Sequence, residues 1–359
     1  MRKSKRFIPL YLILACTLLC YCIQVMPFDV HFVFDACFLT FEQSLIFRPK
    51  YNFEFKQKVI KCDSCLYDAS NYKPNSTPED VIISCSFNVY SNIIPFMRTL
   101  RNTGSKASVV IFVDDKALNS MSNFTKNYFL NCGGTFVSVG NLGETSFKNI
   151  NLITYCIFRE FLVENRHRIN RVVKVDLFDT WFQGDPFYED FSRTQIMIYD
   201  EGMHTTGCWI NKMWLDQIVY GTSHRLKDDF YHKCAGIFGG TVENFLNFLS
   251  IILSNSKINN DWTDQGTINI LWIWGIFQNH GVILPINKFE NIFVRHLVRL
   301  RTKEGEKLGS YKSQFNSSRT ALILHHTHYD KAALENLMNL CPPPEGNVDP
   351  YIKVKSVPI

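Results

Sequence analysis

The run VIISCSF (81–87) is apolar without a helical period, so it predicts a buried strand. Behind it, Ile93, Ile94, Met97 and Leu100 recur at helical spacing, with Asn88 as the expected cap and Gly104 as the stop. ASVVIFV (107–113) predicts a second strand that runs into Asp114-Asp115. A helix over 116–130 and a third strand at TFVSVG (135–140) follow. Residues 150–169 place Ile153, Ile157, Phe161 and Ile169 on one side of a helix, and RVVKVDLFD (171–179) reads as a fourth strand ending in acid. Strands that alternate with helices predict an α/β domain, a mainly parallel sheet flanked by helices on both faces. No internal repeat or low-complexity segment interrupts it. The stretch CPPPEGNVDPYIKVKSVPI reads as an extended tail.

Composition narrows the class. The 359 residues are 46% hydrophobic, 14% aromatic and 20% charged, which excludes general disorder and supplies ample core without disulfide staples. The formal net charge is +5, of which Arg2, Lys3, Lys5 and Arg6 supply four, leaving the rest near +1. That balance gives no electrostatic footprint for nucleic acid.

Those four charges precede an uncharged run, FIPLYLILACTLLCYCIQVMPF (7–28), long enough for a bilayer core. A cleaved signal peptide and an uncleaved anchor compete here. The length and the lack of a small-residue cleavage site favour the anchor, with the amino terminus cytoplasmic and the body lumenal. The expected organisation is a cytoplasmic tail (1–6), a transmembrane signal anchor (7–28), a stem that partly packs on the domain (29–79), one catalytic domain (80–335) and a carboxyl-terminal tail (336–359). Sequons at Asn75, Asn123 and Asn316 fit a lumenal body. Of twelve cysteines, three lie in the apolar run, so nine remain and at least one is free or pairs between chains. For Cys62-x-x-Cys65, a local disulfide or partners elsewhere fit an oxidising locale better than metal.

The acidic end of the fourth strand carries the chemistry. Asp176 and Asp179 emerge near its carboxyl end, where open α/β sheets bind ligands. Two carboxylates there suit a divalent cation that neutralises a diphosphate. On spacing alone, a turn cap for Asp179 and an ion pair with Lys or Arg for Asp176 account for them as well.

The segment VDLFDTWFQGDPF (175–187) resembles the metal-binding segment of GT-A nucleotide-diphospho-sugar glycosyltransferases, in a wider D-x-x-D form followed by F-Q-x-D-P-F. The resemblance implies a GT-A-type, Rossmann-like fold, with Asp179 on the cation and Asp176 on the donor ribose or a metal-bound water. Asp185-Pro186-Phe187 reads as a structural turn. CAGIFGGTVENFLNFL (234–249) resembles the small-residue loop that lies against the donor sugar before a helix, which implies donor contacts from Gly239 and Gly240. An ordinary strand-to-helix turn, capped by Thr241, explains the same residues. DWTDQGTINILW (261–272) is similar to the D-Q-x-x-x-N segment of retaining enzymes, the glycogenin-like group among them. It implies Asp264 on donor hydroxyls, Gln265 near the anomeric carbon and Asn269 on the donor. In ILHHTHYDK (323–331), a late histidine is implied as a further metal ligand. Strand alternation sets His326 and His328 on one face and His325 on the other, which favours His326 and then His328.

The resemblance spans residues 80 to 331. It implies transfer of a hexose from a UDP-sugar to an acceptor hydroxyl on a glycan or glycoprotein, with Mn2+ or Mg2+ as cofactor and with retention. It also implies a single-pass type II protein of the Golgi or endoplasmic reticulum membrane. Were the reaction inverting, Asp228, Asp229 and Glu243 are the candidate bases. Trp209, Trp214 and Trp262 are candidates for sugar stacking, or for core. The competing expectation is a non-catalytic lumenal glycan-binding protein built on the same fold. No G-x-G-x-x-G follows the first strand, so a nucleotide-dependent oxidoreductase lacks support.

Overall fold

The computed structural model describes residues 59–69, 72–88, 90–142, 150–188, 195–204, 208–219, 230–256, 263–284, 294–298, 301–313, 317–347, 349 and 351. Along the chain these form β1 (Val81–Ser86), α1 (Ile93–Asn102), β2 (Ser108–Val113), α2 (Asp115–Ser120), α3 (Asn123–Asn131), β3 (Gly134–Ser138), α4 (Ile150–Asn165), β4 (Arg171–Lys174) and β5 (Trp181–Phe182). There follow β6 (Met197–His204), α5 (Trp209–Val219), β7 (Tyr231–Thr241), α6 (Val242–Asn255), α7 (Asp264–Ile273), α8 (Ile276–Asn279), β8 (Val294–His296), β9 (Ile323–His325) and α9 (Lys331–Leu340).

The main sheet has six strands in the order β3-β2-β1-β4-β7-β6. The first four are parallel, whereas β7 runs antiparallel to both β4 and β6. The sheet is therefore mixed: four of its six strands pair in parallel, as expected, and β7 runs against its neighbours. Its strands alternate between two apolar layers. Val81, Ile83, Val110 and Phe112 pack with Phe158 and Phe161 of α4 and Phe245 and Phe248 of α6. Ile82, Val109, Ile111 and Val113 pack with Phe96, Met97 and Leu100 of α1 and Phe129 of α3. Each such buried side chain contributes about 1.5–3 kcal/mol. This burial on both faces is why the strands read as continuous apolar runs.

A second sheet, β5-β9-β8, lies beyond the carboxyl end of β4. It matters to the site because β9 delivers the late histidines. Below it, Trp181, Leu324, Leu334, Leu337 and Tyr351 form a third apolar cluster.

Several boundaries differ from the sequence reading. The helix expected over 116–130 is two helices, because Ser122 caps α3 by accepting from the Thr125 amide. Asn88 does not cap α1. It adopts a left-handed conformation (φ 64°), and Asn92 occupies the cap position, its side chain donating to the Phe178 carbonyl instead of capping. The fourth strand stops at Lys174. Thr241 does cap α6, accepting from the Asn244 amide.

The segments flanking the domain are tied to it. Cys62 is bonded to Cys132 and Cys65 to Cys341, so the C-x-x-C pair takes two separate distant partners. Among the described residues Cys85 and Cys234 are in no disulfide. Asp349 and Tyr351, within the expected tail, pack on the domain. Tyr351 donates to the Cys341 carbonyl, and Asp349 accepts from Tyr90, Ser122 and Thr125. Asp185 is a turn anchor, buried and accepting from the Asn75, Ser76 and Phe187 amides. Asn75 and Asn123 are exposed, and Asn316 lies outside the described residues. So does the expected anchor, 7–28; no helix among the described residues is long and apolar enough to cross a membrane.

Candidate functional site

After Val175 the chain turns through a 3-10 segment, Leu177–Asp179. Residues three apart eclipse in that geometry. Asp176, just before the turn, and Asp179, its last residue, therefore share a side although two residues separate them. Ligand atoms of Asp176, Asp179 and His325 lie within 4.8 Å of one another.

The histidines arrive from β9. Its extended conformation ends at His325, because His326 is left-handed (φ 58°) and a second 3-10 turn, Thr327–Tyr329, follows. Strand alternation stops one residue too early to separate the rings. His325 Nε2 is 3.3 Å from Asp179 Oδ1, while His328 Nδ1 and His326 Nδ1 are 3.4 and 3.6 Å from Asp179 Oδ2. The expected opposition of His325 to the other two is thus corrected: all three face one carboxylate, and His325 alone also reaches Asp176 Oδ2, at 3.5 Å. His325 Nδ1 is bonded to the Tyr199 hydroxyl, which leaves Nε2 directed at the acids.

Electrostatics follow from this crowding. Burial would raise the pKa of Asp179, but His325, His326 and His328 outweigh it and hold the carboxyl well below its ordinary value. Burial likewise opposes ionisation of Asp176, and Lys174 overrides it downward. Burial pushes His325 down, and Asp179 more than reverses that, raising it well above the usual imidazole value. Burial, then the neighbouring His325 charge, lowers His326 to about 3, so its ring is neutral.

Lys174 sits inside the sheet and spends its three protons on Asp176 Oδ1 (2.6 Å) and on the carbonyls of Ala235 (2.9 Å) and Gly236 (3.2 Å). It clamps Asp176 to β7 and has no donor left for a ligand. The ion pair that spacing alone allowed for Asp176 therefore exists. The Asp176 side chain still keeps 46% of its surface open, toward a cavity.

That cavity holds about 600 Å³. Asp176, His325, His326, Gly236, Asp264 and Gln265 are among the residues that line it. Gly236 is the glycine that matters here: a Cβ on it would stand 2.4 Å from His325 Cε1 and 2.8 Å from Asp176 Oδ2. Gly236→Ala is expected to part these ligands and weaken divalent-ion binding roughly 10- to 100-fold, read by calorimetric titration. Unchanged affinity would show that the contact opens freely.

Gly239 and Gly240 are corrected. They pair with Val173 and Val172 in mid-sheet, and β7 runs antiparallel to β4, so advancing from Gly236 to Gly240 leads away from Asp176. A Cβ on Gly240 would meet Ile196 at 2.9 Å, which makes it a packing glycine. Asn269 is corrected too. Its side chain is buried, accepting from the Lys233 amide and donating to the Lys233 and Gln265 carbonyls, so it joins α7 to β7 rather than facing the cavity.

Asp264 is at the cavity wall, where it accepts from the Tyr155 hydroxyl (3.1 Å) and Asn151 (3.3 Å). Burial raises its pKa, with Lys174 opposing. Gln265 donates both amide protons, to Glu201 (3.0 Å) and Asn211 (2.7 Å), and accepts from the Ala235 amide (3.1 Å). It is a positioning residue. Trp214 lines the cavity and Trp209, 73% exposed, stands at its rim; Trp262 lies outside the described residues, as do Asp228 and Asp229. Glu243 is exposed in the first turn of α6 and does not line the cavity.

Sequence reasoning missed Lys174, Glu201, His296 and Tyr155. A lysine inside VVKVD and adjacent acids in IMIYDEGMH were available signals, since charges within apolar strands need partners. Nothing local marked His296 or Tyr155.

The donor set suits a divalent ion. Asp179 Oδ1, His325 Nε2 and His326 Nδ1 are buried without a directed hydrogen bond. Two carboxylates with an imidazole are ordinary ligands for a manganese-like ion. No protein-family model matches this chain, and no curated protein matches it in sequence.

Proposed function

We propose that this chain is a metal-dependent glycosyltransferase that moves a hexose from a nucleotide-diphosphate sugar, of the UDP-sugar type, to an acceptor hydroxyl. One observation carries the reading. The acids leaving β4 converge with His325, and Asp176 and His325 line a cavity of about 600 Å³, at the strand ends where open α/β sheets bind nucleotides. The ordered resemblance of residues 80 to 331 to GT-A enzymes supports it, as does a mixed sheet in the order β3-β2-β1-β4-β7-β6.

Asp176, Asp179 and His325 would hold Mn2+ or Mg2+, which when bound supplies positive charge to the departing diphosphate. Lys174 fixes Asp176, and Tyr199 fixes His325. Asp264 lines the cavity, keeps one lone pair on Oδ2 beyond the Tyr155 bond and suits a sugar hydroxyl. Gln265 holds Glu201 and the β7 backbone in place instead of touching the anomeric carbon itself. Trp209 and Trp214 offer ring faces to a sugar. Retention follows the D-Q resemblance. The apolar run at 7–28, two disulfides and exposed sequons support a type II protein with its domain in the secretory lumen.

The test is a thermal-shift and donor-hydrolysis screen of the full chain against UDP- and GDP-sugars, with and without Mn2+. A true donor at a hundredfold excess over Kd adds about 2.7 kcal/mol of stability, and only with the ion. No response to any donor would favour the glycan-binding protein.

A further inference from the structure

We propose a second cation site in the same cavity, formed by Glu201, His296 and His326 and suited to a borderline-soft divalent ion of the zinc class. Ligand atoms of these three lie within 4.8 Å of one another, and the set shares no residue with Asp176, Asp179 and His325. Glu201 comes from β6, His296 ends β8, and His326 follows β9, so three separate strands of a packed fold bring the donors together. The His296 and His326 rings are 4.4 Å apart between centroids.

Glu201 supplies the second, independent observation. It is 8% exposed, and its two oxygens accept from Gln265 Nε2 (3.0 Å) and Asn211 Nδ2 (2.7 Å), both neutral carboxamides. No lysine or arginine among the described residues pairs with it. A buried carboxylate needs positive charge nearby. Each oxygen keeps a lone pair after one hydrogen bond, so an ion can supply that charge without displacing Gln265 or Asn211. Carboxamides that orient a ligating carboxylate are a normal outer layer of a metal site.

The donor types separate the two sites. Two imidazoles and one carboxylate make a three-ligand set of the kind zinc takes with one open position. All three residues line the cavity, so that position faces ligand space. The acid-rich set around Asp179 suits harder ions. This proposal does not depend on glycosyl transfer.

The test titrates chelator-stripped full chain with Zn2+ and with Co2+ in saturating Mg2+, following bound metal by atomic emission and Co2+ by visible absorption. The expected result is one equivalent of zinc and a cobalt band of low coordination number. Glu201→Gln and His296→Ala should each weaken both by at least about 100-fold, whereas Asp176→Asn, at a residue that contacts Lys174 and His325, should leave them intact. Circular dichroism checks folding, and if Glu201→Gln unfolds the chain, His296→Ala decides. No zinc uptake in magnesium, uptake that survives His296→Ala, or uptake lost with Asp176→Asn would each overturn the site.

Discussion

Asp179→Asn is expected to lower the proposed sugar transfer by about 10²- to 10³-fold, the scale of losing one preorganised electrostatic group, with the fold retained. The substitution keeps shape and removes charge at the point where three imidazoles converge within 3.3 to 3.6 Å. The amide nitrogen that replaces one oxygen is a donor with no lone pair for an ion, so the proposed cation loses the charge of a buried carboxylate, 9% exposed. Asp176 does not substitute for it, because one of its oxygens is held by Lys174. Folding should survive, since Asp179 lies on a short turn outside the main sheet and outside the apolar layers. The measurement is donor hydrolysis in Mn2+ beside a thermal melt. Undiminished hydrolysis with a normal melt would remove Asp179 from the chemistry.

The sequence exposed the half of this site that arises from local periodicity. Asp176 and Asp179 follow a run of valines, and a strand buried on both faces must release such acids at its end. The pairing of those acids was less visible, because it depends on a 3-10 turn that DLF does not announce. The late histidines were visible as a cluster, but alternation misassigned their faces, since one left-handed residue at His326 resets the direction of every later side chain. The glycines of CAGIFGG misled in the same way. A small-residue cluster reads as a ligand loop, but here β7 continues through Gly240, and only antiparallel pairing with β4 determines that Gly236 reaches the site. Lys174, Glu201 and His296 required the tertiary arrangement, for Lys174 reaches Ala235 61 residues on, Glu201 reaches Gln265 64 residues on, and His296 meets His326 30 residues on.

The largest stability effect is expected at the other end of β4. Asp80→Ala should cost about 3–5 kcal/mol, the typical result of breaking one side of a buried ion pair. Arg171 donates Nε to Asp80 Oδ1 (2.7 Å) and Nη2 to Oδ2 (2.6 Å), while its guanidinium lies over the Phe187 ring at 5.2 Å. Asp80 is fully buried and Arg171 nearly so, so the loss of Asp80 leaves the guanidinium its carbonyl acceptors, Asn75 and Phe187, without the carboxylate that balances its charge. Denaturant melts should show a lower midpoint at unchanged slope. The double variant Asp80→Leu, Arg171→Met should recover much of the loss, because an apolar pair removes both desolvation costs at once. Recovery would identify the stranded charge, rather than lost packing, as the cause. Ion affinity of the folded fraction should hardly change in either variant. The ion pair fixes the strand where it enters the sheet, and the ligands gather where it leaves, so stability and chemistry on this one strand respond to different substitutions.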